Sequence, residues 1–153
     1  MADIKKNYEQ LKKRYSLPDY AEINKEFEIA VIDKDDFLLT EIRKKIDEKL
    51  ELFIKILDRI IQPDTYIADM REQRAFDDDD KKELFELYKK IQIMHKESLL
   101  RSIEEDEKKN AEFINAIWKN WKPAKSAMIT IVEKMRDSWK GDLKFDEETN
   151  YLG

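Results

Sequence analysis

Hydrophobic side chains recur at steps of three and four residues along most of the chain, the spacing that lines them up on one face of an α-helix. Ile4, Tyr8, Leu11 and Tyr15 set the first such stripe. Ser16-Leu17-Pro18-Asp19 interrupts it; Pro18 is acceptable just inside a helix start, and Asp19 with Glu22 makes a capping-box-like beginning. The next helix is expected to carry Tyr20, Ile23, Phe27 and Ala30 or Val31 on one face. Residues 27–31 also alternate weakly like a strand, but no second strand is available to pair with them.

Asp33 to Asp36 offers cap residues and negative charge to a third helix, where the helix dipole favours both. Leu39, Ile42, Ile46, Lys49, Phe53, Ile56 and Ile60 follow a near-heptad spacing broken once by Lys49, with Leu50 and Leu57 beside them. Pro63 ends this helix, and residues 64–76 read as a short helix or ordered connector. After Asp77–Asp80 comes a second long stripe of Leu84, Leu87, Tyr88, Ile91, Met94, His95, Leu99 and Ile103. The apolar signal lapses over 104–110 and resumes at Phe113, Ile114, Ile117 and Trp121. No Gly or Pro separates the two parts, so a continuous helix is the preferred reading over a polar turn near Asp106. Pro123 is expected to stop it. A last helix over about 123–140 then carries Met128, Ile131, Val132, Met135 and Trp139, with Gly141 as a natural C-terminal cap.

These elements predict an all-α fold: a helical bundle of five or six helices dominated by two long antiparallel ones. With no internal repeat and no linker, residues 1–141 read as a single helical domain. Residues 142–153 read as a polar tail whose Leu143, Phe145 and Tyr151 are able to dock back on the body.

Composition narrows the chemistry. Hydrophobic residues make up 41% of the 153 and charged residues 42%, too apolar for a disordered chain yet suited to helices with heavily charged outer faces. With two Gly, both near the C-terminus, the phosphate-cradling loops and nucleophile elbows that need glycine are absent. Zero Cys removes disulfides, thiolate metal sites and thiol catalysis together, and fits a reducing, cytoplasmic setting. Residues 1–6 lack the apolar run of a signal peptide. The densest apolar stretch, residues 50–61, is broken by four charges, so no membrane span is expected.

Three motifs offer chemistry. His95, the sole histidine, has Gln92 rather than Glu one turn before it and no second histidine, so neither a di-iron nor a zinc ligand pattern is present; it reads as a packed, hydrogen-bonded or partly exposed histidine with no catalytic role. The Asp77–Asp80 run lacks the glycine and alternating ligands of a calcium loop and reads as a helix cap. The segment Trp118-Lys119-Asn120-Trp121-Lys122-Pro123-Ala124-Lys125 interleaves indoles with lysines, which suits base stacking and phosphate contact. Its candidate nucleic-acid-binding residues are Trp118, Lys119, Trp121, Lys122 and Lys125, and Lys5, Lys6, Lys12, Lys13 and Arg14 form a second basic patch. Lys134, Arg136, Lys140 and Lys144 extend the first. Against this reading stand a formal charge of −5 and the ordinariness of lysine on solvated helix faces.

No catalytic residue, cofactor or metal site is indicated. The sequence therefore points to a non-enzymatic scaffold or adaptor that binds a protein partner, or a second copy of itself, through a helical face. A nucleic-acid-associated protein is the alternative.

Overall fold

In a computed structural model, described over residues 3–64 and 66–141, the chain is an all-α helical bundle. It has six helices and no strand among the described residues: α1 (Ile4–Tyr15), α2 (Tyr20–Phe27), α3 (Leu38–Ile61), α4 (Ile67–Gln73), α5 (Asp78–Ile103) and α6 (Glu107–Ser138), with a 3-10 turn at Ile29–Val31. The chain divides into two compact units, Met1–Leu52 with Ile91–Lys122 (unit 1) and Phe53–Lys90 with Pro123–Gly153 (unit 2).

Unit 1 begins with a capped helix. The Asp3 carboxylate accepts from the Lys6 amide at 3.0 Å, and Lys12, Lys13 and Arg14 fall in the last turn, where cations suit the dipole. The Lys12–Arg14 part of the N-terminal basic patch thus doubles as helix-end charge. Ser16 closes α1 in the left-handed conformation, and the Leu17 that follows is buried. Asp19 does stand at the N-cap of α2, but its carboxylate pairs with Lys12 instead of the helix amides, so no capping box forms. The helix then stops at Phe27 because Glu28 turns left-handed (φ 55°) and its N–H bonds back to the Asn24 carbonyl. This corrects the expected apolar face. Ile29 and Ile32 are buried and Ala30 and Val31 exposed, so the strand-like alternation was recording a 3-10 turn.

In α3 the buried line is Leu39, Ile42, Ile46, Leu50, Phe53, Leu57 and Ile60. Leu50 and Leu57 hold the places assigned to Lys49 and Ile56, so the apparent break in the heptad disappears. Phe37, not the preceding aspartates, stands next to the start of α3; its carbonyl receives the amides of Thr40 and Glu41, and its φ is 56°. A left-handed aromatic residue costs on the order of 1–2 kcal/mol.

Within unit 1, Arg43 meets Ser98 and Glu51 meets His95, so α3 and α5 run antiparallel. The long second element is not continuous. Residues 104–106 form a turn, and Asp106 caps α6 by accepting from the Lys109 amide at 2.9 Å. Pro123 does not end the next helix either: α6 runs through it to Ser138. Proline inside a helix normally costs about 3 kcal/mol through the lost N–H and a clash one turn back. Here Pro123 is exposed, so the carbonyl left free lies on the wet side of the helix.

Unit 2 buries Phe53, Leu57 and Ile60 of α3, along with Phe76, Leu84, Met128, Ile131 and Met135. Val132 and Trp139, expected on the α6 stripe, are 43% and 50% exposed. The Asp77–Asp80 run does cap α5: the Asp80 amide donates to the Asp77 carboxylate at 2.8 Å and the Asp77 amide to the Asp80 carboxylate at 3.1 Å. The tail and its Leu143, Phe145 and Tyr151 lie outside the described residues, as does Lys144.

Candidate functional site

A buried charge organises unit 1. Arg43 sits on the apolar stripe of α3 and is 2% exposed. Its Nε donates to the Asn110 side-chain oxygen (3.1 Å), Nη1 to the Ser98 hydroxyl (3.2 Å) and Nη2 to the Glu105 carboxylate (2.8 Å). The amide of Asn110 donates in turn to Glu105 and to Thr40, whose hydroxyl donates to the second Glu105 oxygen at 2.9 Å. Burial alone would push the Glu105 carboxyl up, but hydrogen bonds from Asn110, Thr40 and Arg43 outweigh it and hold the pKa below its ordinary value. A guanidinium whose donors are spread over three residues from α5, the turn and α6 fixes that turn in place. Sequence reading missed this hub. The available signal was an arginine on the Leu39–Ile46–Leu50 stripe, facing the very residues where the apolar pattern lapses.

Asp47, one turn on from Arg43, has the opposite bias. Burial raises its carboxyl pKa, only partly countered by Ser98 and the charges of His95 and Arg43. His95 packs between Asp47 and Glu51: Nε2 is 3.7 Å from Glu51, while Nδ1 is buried without a hydrogen-bond partner. Ser98, His95 and Asp47 are the residue types of a hydrolytic triad, but Ser98 is fully buried and hydrogen-bonded to Arg43, so its hydroxyl cannot meet a substrate. Among the described residues no group of three or more His, Asp or Glu side chains is arranged to hold a metal ion.

The indole–lysine segment is divided by its surroundings. Trp121 is buried, its ring 4.6 Å from Phe27 and its Nε1 donating to Glu26 at 2.9 Å. Trp118, half-buried, meets the edge of the same Phe27 at 6.5 Å. Lys119 and Lys122 are exposed in unit 1, whereas Lys125 is half-buried in unit 2. In the N-terminal patch, Lys12 pairs with Asp19 and Arg14 with Glu107, while Lys5, Lys6 and Lys13 are exposed.

The largest departure from the expected burial is on α5. Leu99 and Ile103, placed on its buried stripe by spacing, are 40% and 83% exposed, and Ile93 and Leu100 are 64% and 50% exposed. Ser98 takes the inward position because Arg43 needs a polar partner there. Ile93 and Leu100 are two turns apart on one line of the helix, with Ile103 a further turn along its edge. The result is a set of exposed apolar side chains on α5 in unit 1, interleaved with the exposed Lys96 and Glu97.

In unit 2, Arg71 of α4 caps the end of α6. It is 8% exposed, donates Nε to the Ser138 carbonyl (2.8 Å) and Nη2 to the Gly141 carbonyl (3.3 Å), and lies 5.3 Å from the Trp139 ring. A groove of about 210 Å³ between the first turns of α5 and the second half of α6 is floored by Phe76, Leu84 and Ile131 and closed at its rim by the Lys134–Asp80 pair at 2.9 Å. That pair, with the backbone bond from residue 77, lowers the Asp80 carboxyl pKa.

No family model, curated protein or solved structure matches this chain. Among the described residues no helix is long and apolar enough to cross a membrane.

Proposed function

We propose that this chain is a non-enzymatic scaffold or adaptor that binds another protein through the outer face of α5 in unit 1. The observation that carries the reading is the set of Ile93, Leu99, Leu100 and Ile103, which are 40–83% exposed on one helix. Exposed apolar side chains interleaved with charged ones, here Lys96 and Glu97, are a composition found on helices that pack against a partner helix. The absence of cysteine fits a reducing compartment, and a cytoplasmic location is proposed on that ground.

The test places a photo-crosslinking residue at position 100 and, as a control, at exposed Glu48 on α3, in cells of the source organism. A discrete protein adduct at position 100 that is absent at position 48 and lost in the Ile93→Lys variant supports the reading. Identical ladders at both positions, or none, overturn it.

A second reading rests on Lys119 and Lys122, which are exposed beside the half-buried Trp118 and have no carboxylate partner among the described residues. Single-stranded nucleic acid would then be held by charge and by one indole edge. Neither unit carries net positive charge, which weakens long-range attraction to a phosphate backbone. Titration with short RNA and DNA oligomers at two salt concentrations decides this. Binding that weakens with salt and with Lys119→Glu and Lys122→Glu favours nucleic acid; an affinity no tighter than about 10⁻⁴ M removes it.

A further inference from the structure

Among the described residues, the most exposed large hydrophobic side chains are Phe37 and Ile103, each 83% exposed. Both belong to the same end of unit 1, because the Thr40 hydroxyl bonds Glu105 across from the start of α3 to the α5–α6 turn. A shallow groove of about 180 Å³ lies there, walled by Phe37 and Leu39 and rimmed by Glu105, Asp106 and Glu107. No cation lines it.

The balance of charge around this groove is uneven. Glu105 is matched by Arg43 and Glu107 by Arg14. Asp106 spends an oxygen on the Lys109 amide and has no cation partner among the described residues, and the same holds of Asp33 and Asp36 beside Phe37. An apolar occupant alone would bury unpaired carboxylates, a heavy cost, and a purely polar one would leave Phe37 in water. An occupant that brings both an apolar side chain and a lysine or arginine satisfies both.

We propose that this end of unit 1 docks a basic segment of a protein partner, one that lays apolar side chains on Phe37 and its cations on Asp36 and Asp106. A cation over the exposed face of Phe37 gains further from the ring quadrupole. The proposal rests on the protein-binding reading above and gives that partner a chemistry. Phe37, Asp36 and Asp106 are not among the α5 residues on which that reading rests, so the two are tested apart by separate variants.

The experiment measures binding of three fluorescein-labelled decapeptides to the full chain by anisotropy at physiological salt: alternating lysine–leucine, glutamate–leucine and lysine–serine. The expected result is binding of the lysine–leucine peptide alone. Phe37→Ser should weaken it by about tenfold or more, as for an interface anchor, with rescue by Phe37→Leu. Asp36→Lys should weaken it as well, and Ile93→Ser should leave it unchanged. Phe37 is exposed, so its replacement should spare the fold, and Asp36→Lys keeps the test open if it does not. No binding of the lysine–leucine peptide, equal binding of lysine–serine, or no effect of both Phe37→Ser and Asp36→Lys overturns the proposal. If a crosslink at position 100 persists while these peptides fail, the α5 face stands and the docking end falls.

Discussion

Two arginines are buried among the described residues, and they are buried for different reasons. Arg43 in unit 1 meets side chains: Ser98, Asn110 and Glu105 each supply an oxygen, and Asn110 and Ser98 are themselves almost completely buried. Arg71 in unit 2 meets main-chain carbonyls at the end of α6 and lies against an indole. Carbonyls at a helix end point outward whatever the sequence, and Gly141 is exposed, so water can take the place of Arg71 there. Nothing can take the place of Arg43. The comparison separates a cap, which any donor of the right reach serves, from a hub that several named residues must share.

The sharpest way to break the comparison is to replace each arginine with methionine, which keeps much of the volume. Arg43→Met leaves Asn110 and Ser98 buried without their donor and should cost about 3–5 kcal/mol in denaturant melts. Arg71→Met gives up hydrogen bonds to carbonyls that water can solvate and should cost less, roughly 1–2 kcal/mol. Equal losses would mean that the two sites are of one kind.

Acid distinguishes them next. The Glu105 carboxyl is lower in the folded chain than in the unfolded one, so its contribution is present above the unfolded value of about 4.3 and fades as pH falls through the folded value. The carbonyls held by Arg71 do not titrate. Amide exchange at 104–110 should therefore quicken below about pH 4 before exchange at 138–141 does. The reading is taken amide by amide because Asp80 and the exposed Asp137, which pairs with Lys140, are also lowered and give unit 2 an acid sensitivity of its own.

The smallest effect concerns Asp47. Burial raises its folded pKa, so it favours folding at pH values below its unfolded range and loses that contribution as pH rises to the folded value. Asp47→Asn should bring a small gain at neutral pH that disappears below about pH 4. A loss at neutral pH would show that the charge of Asp47, 3.8 Å from Arg43, is needed by the hub.

How much of this was legible in the sequence follows from the range of each signal. The helices themselves, the Leu39–Ile60 core line, the cap role of Asp77–Asp80 and the termination after Ile61 rest on local spacing and local chemistry, and they were legible. Even the Lys49 interruption was resolvable, since Leu50 lies beside it. The turn at 104–106 was not. It contains no glycine or proline and is held by Arg43, some sixty residues earlier in the chain, so no local window contains its cause. Pro123 misled in the opposite sense: its rule is local, but exposure relaxed it. The exposed apolar set on α5 was hidden because spacing cannot say that Ser98 outranks Leu99 for the inward place. Of the indole–lysine segment, helical phase did place Trp121 inward and Trp118 further out, while the Phe27 ring against which both pack comes from another helix.

The separations within the Arg43 hub also bear on the order of events in folding. Its bonds span 55 to 67 positions of sequence, so closing them requires ordering a long stretch of chain before any hydrogen bond repays that entropy. Helical contacts within α3 and α5 need no such wait. Bonds of this kind are expected to form on the native side of the transition state, so that their removal falls on the escape rate and hardly on the approach. In stopped-flow chevrons Arg43→Met should leave the refolding arm nearly in place and raise the unfolding arm. The hub would then act as the latch that determines how long a folded molecule lasts.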